Sequence, residues 1–112
     1  MKVSSEDKMP KIVIVDDEVE ILKPLEEMLL EEGFSVRAFC SPVKALAYLQ
    51  TQAVDLVIFD IKMPELNGLD LLQKVRNVHP FIPAIFLSRK NEDADQLIGF
   101  SIGADDYVGK PF

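Results

Sequence analysis

The chain has 112 residues, nearly half of them hydrophobic, and 19 acidic against 12 basic residues for a formal net charge of −7. That is room for one domain with a real core and none for a second, and the acidic balance argues against direct contact of this chain with nucleic acid or an anionic membrane surface. A single cysteine excludes a disulfide framework and a thiolate metal site, and the absence of a signal-peptide stretch or a run of membrane-spanning length predicts a soluble, cytoplasmic protein.

Residues 1–10 read as a polar N-terminal tail, and residues 11–112 as one domain in which strands and helices alternate. Ile12-Val13-Ile14-Val15 is a short β-branched run that ends in Asp16-Asp17-Glu18. A helix follows, with Ile21, Leu22, Leu25, Met28 and Leu29 at helical spacing and Gly33 as its stop. Pro24 lies inside it, and the lost backbone bond, at a cost of roughly 3 kcal/mol, predicts a kink there. Phe34 to Phe39 alternates in the manner of an edge strand, and Cys40 after it reads as a small packed hydrophobe. Ser41-Pro42 is an N-cap with proline at the first helical position, opening a helix to about Thr51.

Leu56-Val57-Ile58-Phe59 has the composition of a strand buried on both faces, and it ends in Asp60 before the segment Ile61-Lys62-Met63-Pro64-Glu65-Leu66-Asn67-Gly68. Leu69, Leu72 and Val75 predict a helix over 68–77, closed by His79-Pro80. His79 has no partner at ligand spacing and reads as a solvated turn residue rather than a metal ligand or base. Ala84 to Leu87 is a fourth strand ending in Ser88; Asn91 to Ile102 is a weaker amphipathic helix capped by Gly103; Tyr107-Val108 opens a fifth strand that leads to Lys110-Pro111-Phe112.

Five strands alternating with helices imply right-handed crossovers and a doubly wound parallel sheet. In the flavodoxin-like order 2-1-3-4-5, the first and third strands are neighbours at the switch point, where ligands bind beyond the carboxyl ends of the strands. Asp16, Asp17, Asp60, Ser88 and Lys110 all fall at that edge. Two unit charges about 4 Å apart repel by roughly 4 kcal/mol at an effective dielectric of 20, so three converging carboxylates call for a cation. Hard oxygen ligands without imidazole or thiolate select Mg²⁺. An ionised aspartate, a divalent ion, a lysine and a hydroxyl are together what phosphoryl transfer to a carboxylate requires. Taken singly, Asp17 could cap the first helix, Ser88 could cap the fourth, and Lys110 could be a solvated charge.

These stretches, Ile14-Val15-Asp16-Asp17-Glu18, Asp60 through Gly68, Phe86-Leu87-Ser88, Gly103 through Tyr107 and Lys110-Pro111-Phe112, make the chain resemble the receiver domain of two-component response regulators from Lys11 to Phe112. The resemblance implies a phosphorylation-controlled signalling switch in which Asp60 accepts a phosphoryl group from a histidine kinase or a histidine phosphotransfer protein. It implies Mg²⁺ bound by Asp17, Asp60 and the carbonyl of Lys62, with Asp16 acting through a coordinated water. Ser88 and Lys110 would hold the phosphoryl oxygens, and Tyr107 would be the aromatic that turns inward as Ser88 moves. The Lys110-Pro111 bond is usually cis in the family. Such a domain is not an enzyme beyond its own phosphorylation and slow autodephosphorylation. It serves a downstream output domain or protein, and the resemblance admits a phosphorylation-dependent dimer.

Two features depart from the pattern. Arg89 stands where receivers generally carry a small residue, so its guanidinium either covers or pairs with the phosphoryl group or points to water. The chain stops at Phe112, before the family's fifth helix, which predicts exposed apolar residues on strands one and five, and either a fragment end or association with another chain. A haloacid-dehalogenase-type phosphatase would carry a second aspartate where Lys62 stands, and a flavodoxin would need a phosphate loop where this chain has acids. A pseudo-receiver, purely a binding module, would lack the acid pair, the acceptor or the lysine.

Overall fold

A computed structural model describes residues 9–89 and 106–110, the backbone alone at 88–89 and 106–110. Strands β1 (Lys11–Val15), β2 (Ser35–Phe39), β3 (Leu56–Asp60), β4 (Ala84–Arg89) and β5 (Asp106–Lys110) form one sheet in the order β2-β1-β3-β4-β5. Every pairing is parallel, with Val13 beside Val57, Phe59 beside Phe86 and Phe86 beside Tyr107. This is the flavodoxin-like order expected from the alternation of strands and helices. Helices α1 (Val19–Glu31), α2 (Pro42–Leu49) and α3 (Gly68–Val75) supply crossovers between strands.

Successive side chains of a strand point to opposite faces, so each strand feeds two cores. On one face Val13, Val15, Val57, Phe59, Ala84 and Phe86 meet Ala45 and Leu49 of α2 and Leu71, Leu72 and Val75 of α3. On the other, Ile12, Ile14, Ile58 and Leu87 meet Leu22 and Leu25 of α1. Ile12 is 2% and Ile14 0% exposed. The exposure expected for strand one therefore does not occur, because α1 and the neighbouring strands close over it; the side chains of β5 lie outside the described residues. So do the predicted helix over 91–102, the Lys110-Pro111 bond and Phe112. Among the described residues no helix is long and apolar enough to cross a membrane.

The helix ends follow their local chemistry. Beyond α1, Gly33 adopts φ 96°; its N–H donates to Leu30 O at 3.0 Å, and the next N–H, of Phe34, reaches back to Leu29 O at 3.2 Å. That is a Schellman motif, in which the left-handed residue is best glycine. The helix runs unbroken through the exposed Pro24. Ser41 caps α2, its hydroxyl accepting from Lys44 N at 3.2 Å, and Asn67 caps α3, accepting from Asp70 N at 2.8 Å.

Two single-residue expectations are corrected. His79 is half-buried, and its Nε2 bonds the carbonyl of Leu49 at 2.8 Å, so it ties the turn after α3 to the last residue of α2 instead of pointing to water. Cys40 is exposed: the chain bends away from the sheet directly after Phe39, and a residue there no longer follows the inward alternation of β2.

Candidate metal and phosphoryl site

Asp16 continues the sheet one residue past β1, because its N–H donates to Phe39 O at 3.1 Å. Its side chain is 0% exposed, and Oδ1 accepts from the N–H of Glu18 at 2.9 Å, the local turn that aspartate favours. Asp17 projects at the surface. The residue preceding α1 is Glu18, with no side-chain cap bond, so Asp17 is not the helix cap. Asp60 is the last residue of β3, opposite Leu87 of β4, and is 5% exposed.

Asp16, Asp17 and Asp60 thus come from two adjacent strand ends, and each offers a carboxylate oxygen within 4.8 Å of the others. Three carboxylates this close, two of them on buried side chains, would repel one another in a medium of lowered dielectric, and a cation held between them would relieve that repulsion. The donor set fits a hard divalent ion: it is all oxygen and anionic, while the only histidine, His79, is engaged at the carbonyl of Leu49.

The segment after Asp60 folds back over it. Gly68 N–H donates to Ile61 O at 2.7 Å, and a Cβ at residue 68 would fall on the carbonyl oxygen of Asp60, 3.0 Å from its carbonyl carbon and 3.1 Å from Ile61 Cα. Glycine is therefore required there by close approach of two backbones. From sequence alone Gly68 is only the predicted start of a helix; the available signal is a glycine opening a helix directly after an N-cap asparagine, where helix propensity gives it no reason to stand. Lys62, in this segment, is exposed.

The register carries the other expected residues to the same edge of the sheet. Leu87 lies beside Asp60, Ser88 pairs with Gly109, and Arg89 pairs with Lys110, all at the carboxyl ends of β4 and β5. Tyr107 pairs with Phe86, two residues earlier. The side chains of Ser88, Arg89, Tyr107 and Lys110 lie outside the described residues, so only the backbone positions expected for them are seen.

Comparison with known proteins gives the same picture. The family described as the response regulator receiver domain matches residues 12–112. The regulatory protein VanRc of Enterococcus gallinarum is 47% identical over 102 residues, which is 91% of this chain and 44% of that protein. The transcriptional regulatory protein CreB of Escherichia coli is 39% identical over 99 residues, 88% of this chain and 43% of that protein. The chain thus spans less than half the length of these curated relatives. Among solved structures, the BeF3-activated receiver domain of DrrB, a Thermotoga maritima protein, superposes with a TM-score of 0.83 at 34% identity, covering 93% of this chain and 86% of that one. With a five-stranded sheet in the flavodoxin-like order, an acid cluster at its switch point and relatives matched over nine-tenths of its length, the chain belongs to the response regulator receiver domain family.

Proposed function

We propose that the chain is a phosphorylation-controlled switch of a two-component system, with Asp60 as the phosphoacceptor. The convergence of Asp16, Asp17 and Asp60 within 4.8 Å, with the first and last buried, is the observation that carries this reading. A carboxylate nucleophile needs no separate base: an oxygen of Asp60 attacks phosphorus, and the bond from phosphorus to the donor's imidazole nitrogen breaks with its electron pair going to the nitrogen. The product is an aspartyl phosphate. Asp17, Asp60 and the Lys62 carbonyl would hold Mg²⁺, with Asp16 acting through water, and the ion would supply neutralisation of the phosphoryl oxygens when bound. Ser88 and Lys110 take the remaining oxygens, and Tyr107 moves inward with Ser88 as the readout.

Donors of this kind are a histidine kinase or a phosphotransfer protein, and the reading carries a cytoplasmic location. Receiver domains are generally not enzymes in their own right; here self-phosphorylation and slow hydrolysis of the acyl phosphate set and reset the state. The name of CreB, a transcriptional regulatory protein, together with the greater length of both CreB and VanRc, supports an output domain acting on transcription in the whole protein, with DNA contact belonging to that domain and not to this acidic chain. Incubation with acetyl phosphate and Mg²⁺ should add one acid-labile, hydroxylamine-sensitive phosphoryl group, and Asp60→Asn should abolish it. Stable modification of a serine, or labelling undiminished in Asp60→Asn, would sink the assignment.

A further inference from the structure

The turn between β2 and α2 touches both halves of the acid site. On one side the carbonyl of Phe39 accepts from Asp16 N at 3.1 Å. Two residues on, Ser41 Oγ donates to Glu65 Oε1 at 2.9 Å, a link across 24 positions to the segment that follows Asp60. The Ser41 oxygen also accepts from Lys44 N at 3.2 Å. Its single proton is thus committed to Glu65 while its lone pair is committed to the helix, and Pro42 at the first helical position stiffens the backbone between them.

Glu65 is therefore tied to the start of a helix, not to a free side chain. The segment it belongs to is anchored before Lys62 by Ile61, whose N–H donates to Leu87 O at 3.1 Å, and after it by Met63, 8% exposed in the core. Beyond Met63 the exposed Pro64 and Glu65 lead to Gly68, whose N–H returns to Ile61 O at 2.7 Å. We propose that Ser41 and Glu65 are positioning residues: their hydrogen bond holds the Lys62 segment so that its carbonyl meets the cation in the acid site. The inference rests on the phosphoacceptor reading above, in which that carbonyl is a ligand. Mg²⁺ demands near-ideal octahedral geometry at about 2.0–2.1 Å, so a carbonyl free to wander is a poorer ligand.

The test is a calorimetric Mg²⁺ titration of the whole 112-residue chain without phosphodonor, with thermal melts alongside. Glu65→Ala breaks the tie but leaves the α2 cap intact, and should weaken Mg²⁺ binding on the order of fivefold. Glu65→Gln removes the charge but keeps an accepting oxygen, and should stay within about twofold of the parent. Ser41→Asp keeps the cap and sets a like charge against Glu65, and should resemble Glu65→Ala. In phosphorylation with acetyl phosphate, the loss should show in the Mg²⁺ concentration needed for half-maximal labelling and not in the rate at saturation. A lowered melting temperature with unchanged Mg²⁺ affinity in Glu65→Ala makes the bond merely structural and overturns the proposal. Equal weakening in Glu65→Gln and Glu65→Ala assigns the effect to charge and overturns it too. Asp17→Asn measured in the same series separates the two claims: Mg²⁺ affinity indifferent to that change overturns the ligand set itself.

Discussion

Asp17 and Gly68 show how single residues shape this site by opposite means. Asp17 adds an exposed charge beside two buried ones, so Asp17→Asn should weaken Mg²⁺ binding at least about tenfold while relieving repulsion in the metal-free fold. Because Asp17 is solvated, the gain in stability is small, and a melting temperature higher by about 2 °C is expected without Mg²⁺. An unchanged titration with Mg²⁺ would remove Asp17 from the ligands. Gly68 contributes by having no side chain. Gly68→Ala forces a methyl against the carbonyl of Asp60 and should cost about 1–3 kcal/mol in urea denaturation, with a matching loss of phosphorylation as the acceptor's backbone shifts. A variant of parental stability and parental labelling would show that the two backbones can separate freely.

Among the elements, α1 offers the sharpest case. It runs unbroken from Val19 to Glu31 through Pro24, which is exposed and packs no core, yet denies the helix one backbone hydrogen bond. Pro24→Ala should restore that bond. The gain of roughly 3 kcal/mol in helix propensity, less up to about 1 kcal/mol of extra freedom in the unfolded chain, predicts a net stabilisation of about 2 kcal/mol. A fall in the denaturation midpoint would mean that the proline is accommodated without cost.

The strands were legible because burial on both faces leaves a mark in composition: Ile12 to Val15 and Leu56 to Phe59 are continuous apolar runs, and both are strands in the interior of the sheet. The caps were legible because Ser41-Pro42 and Gly33 have local reasons to stand where they do. His79 and Cys40 depart from their sequence expectations for a shared reason. Each lies where the chain leaves an element, and the surroundings of such a residue depend on what a distant segment does: for His79 it is the carbonyl of Leu49, 30 positions away. Asp16 and Asp60 could be placed at strand ends from sequence, but their burial and mutual distance needed the register of β1 against β3.

At the scale of the whole molecule, the sheet acts as a rigid plate that sets acid groups from two of its strands side by side, and the folded state alone has that arrangement. A ligand that binds only the folded state stabilises it by mass action, about 2.7 kcal/mol at a hundredfold excess over its dissociation constant. Mg²⁺ should accordingly raise the melting temperature, and Asp17→Asn should lose most of that response. The net charge of −7 adds a general self-repulsion, so monovalent salt should give a smaller rise that the variant retains in full. Equal responses of both proteins to Mg²⁺ would mean that the ion acts only by screening.

Phosphorylation is proposed for Asp60, at the carboxyl end of β3 and within 4.8 Å of Asp16 and Asp17. Its most direct test is to phosphorylate the chain with acetyl phosphate and Mg²⁺, trap the acyl phosphate by borohydride reduction, and locate the reduced residue by tandem mass spectrometry. The expected result is homoserine at position 60 alone, dependent on Mg²⁺. Reduction at another acidic residue, or none at all in a chain shown to be phosphorylated, would rule out Asp60 as the acceptor.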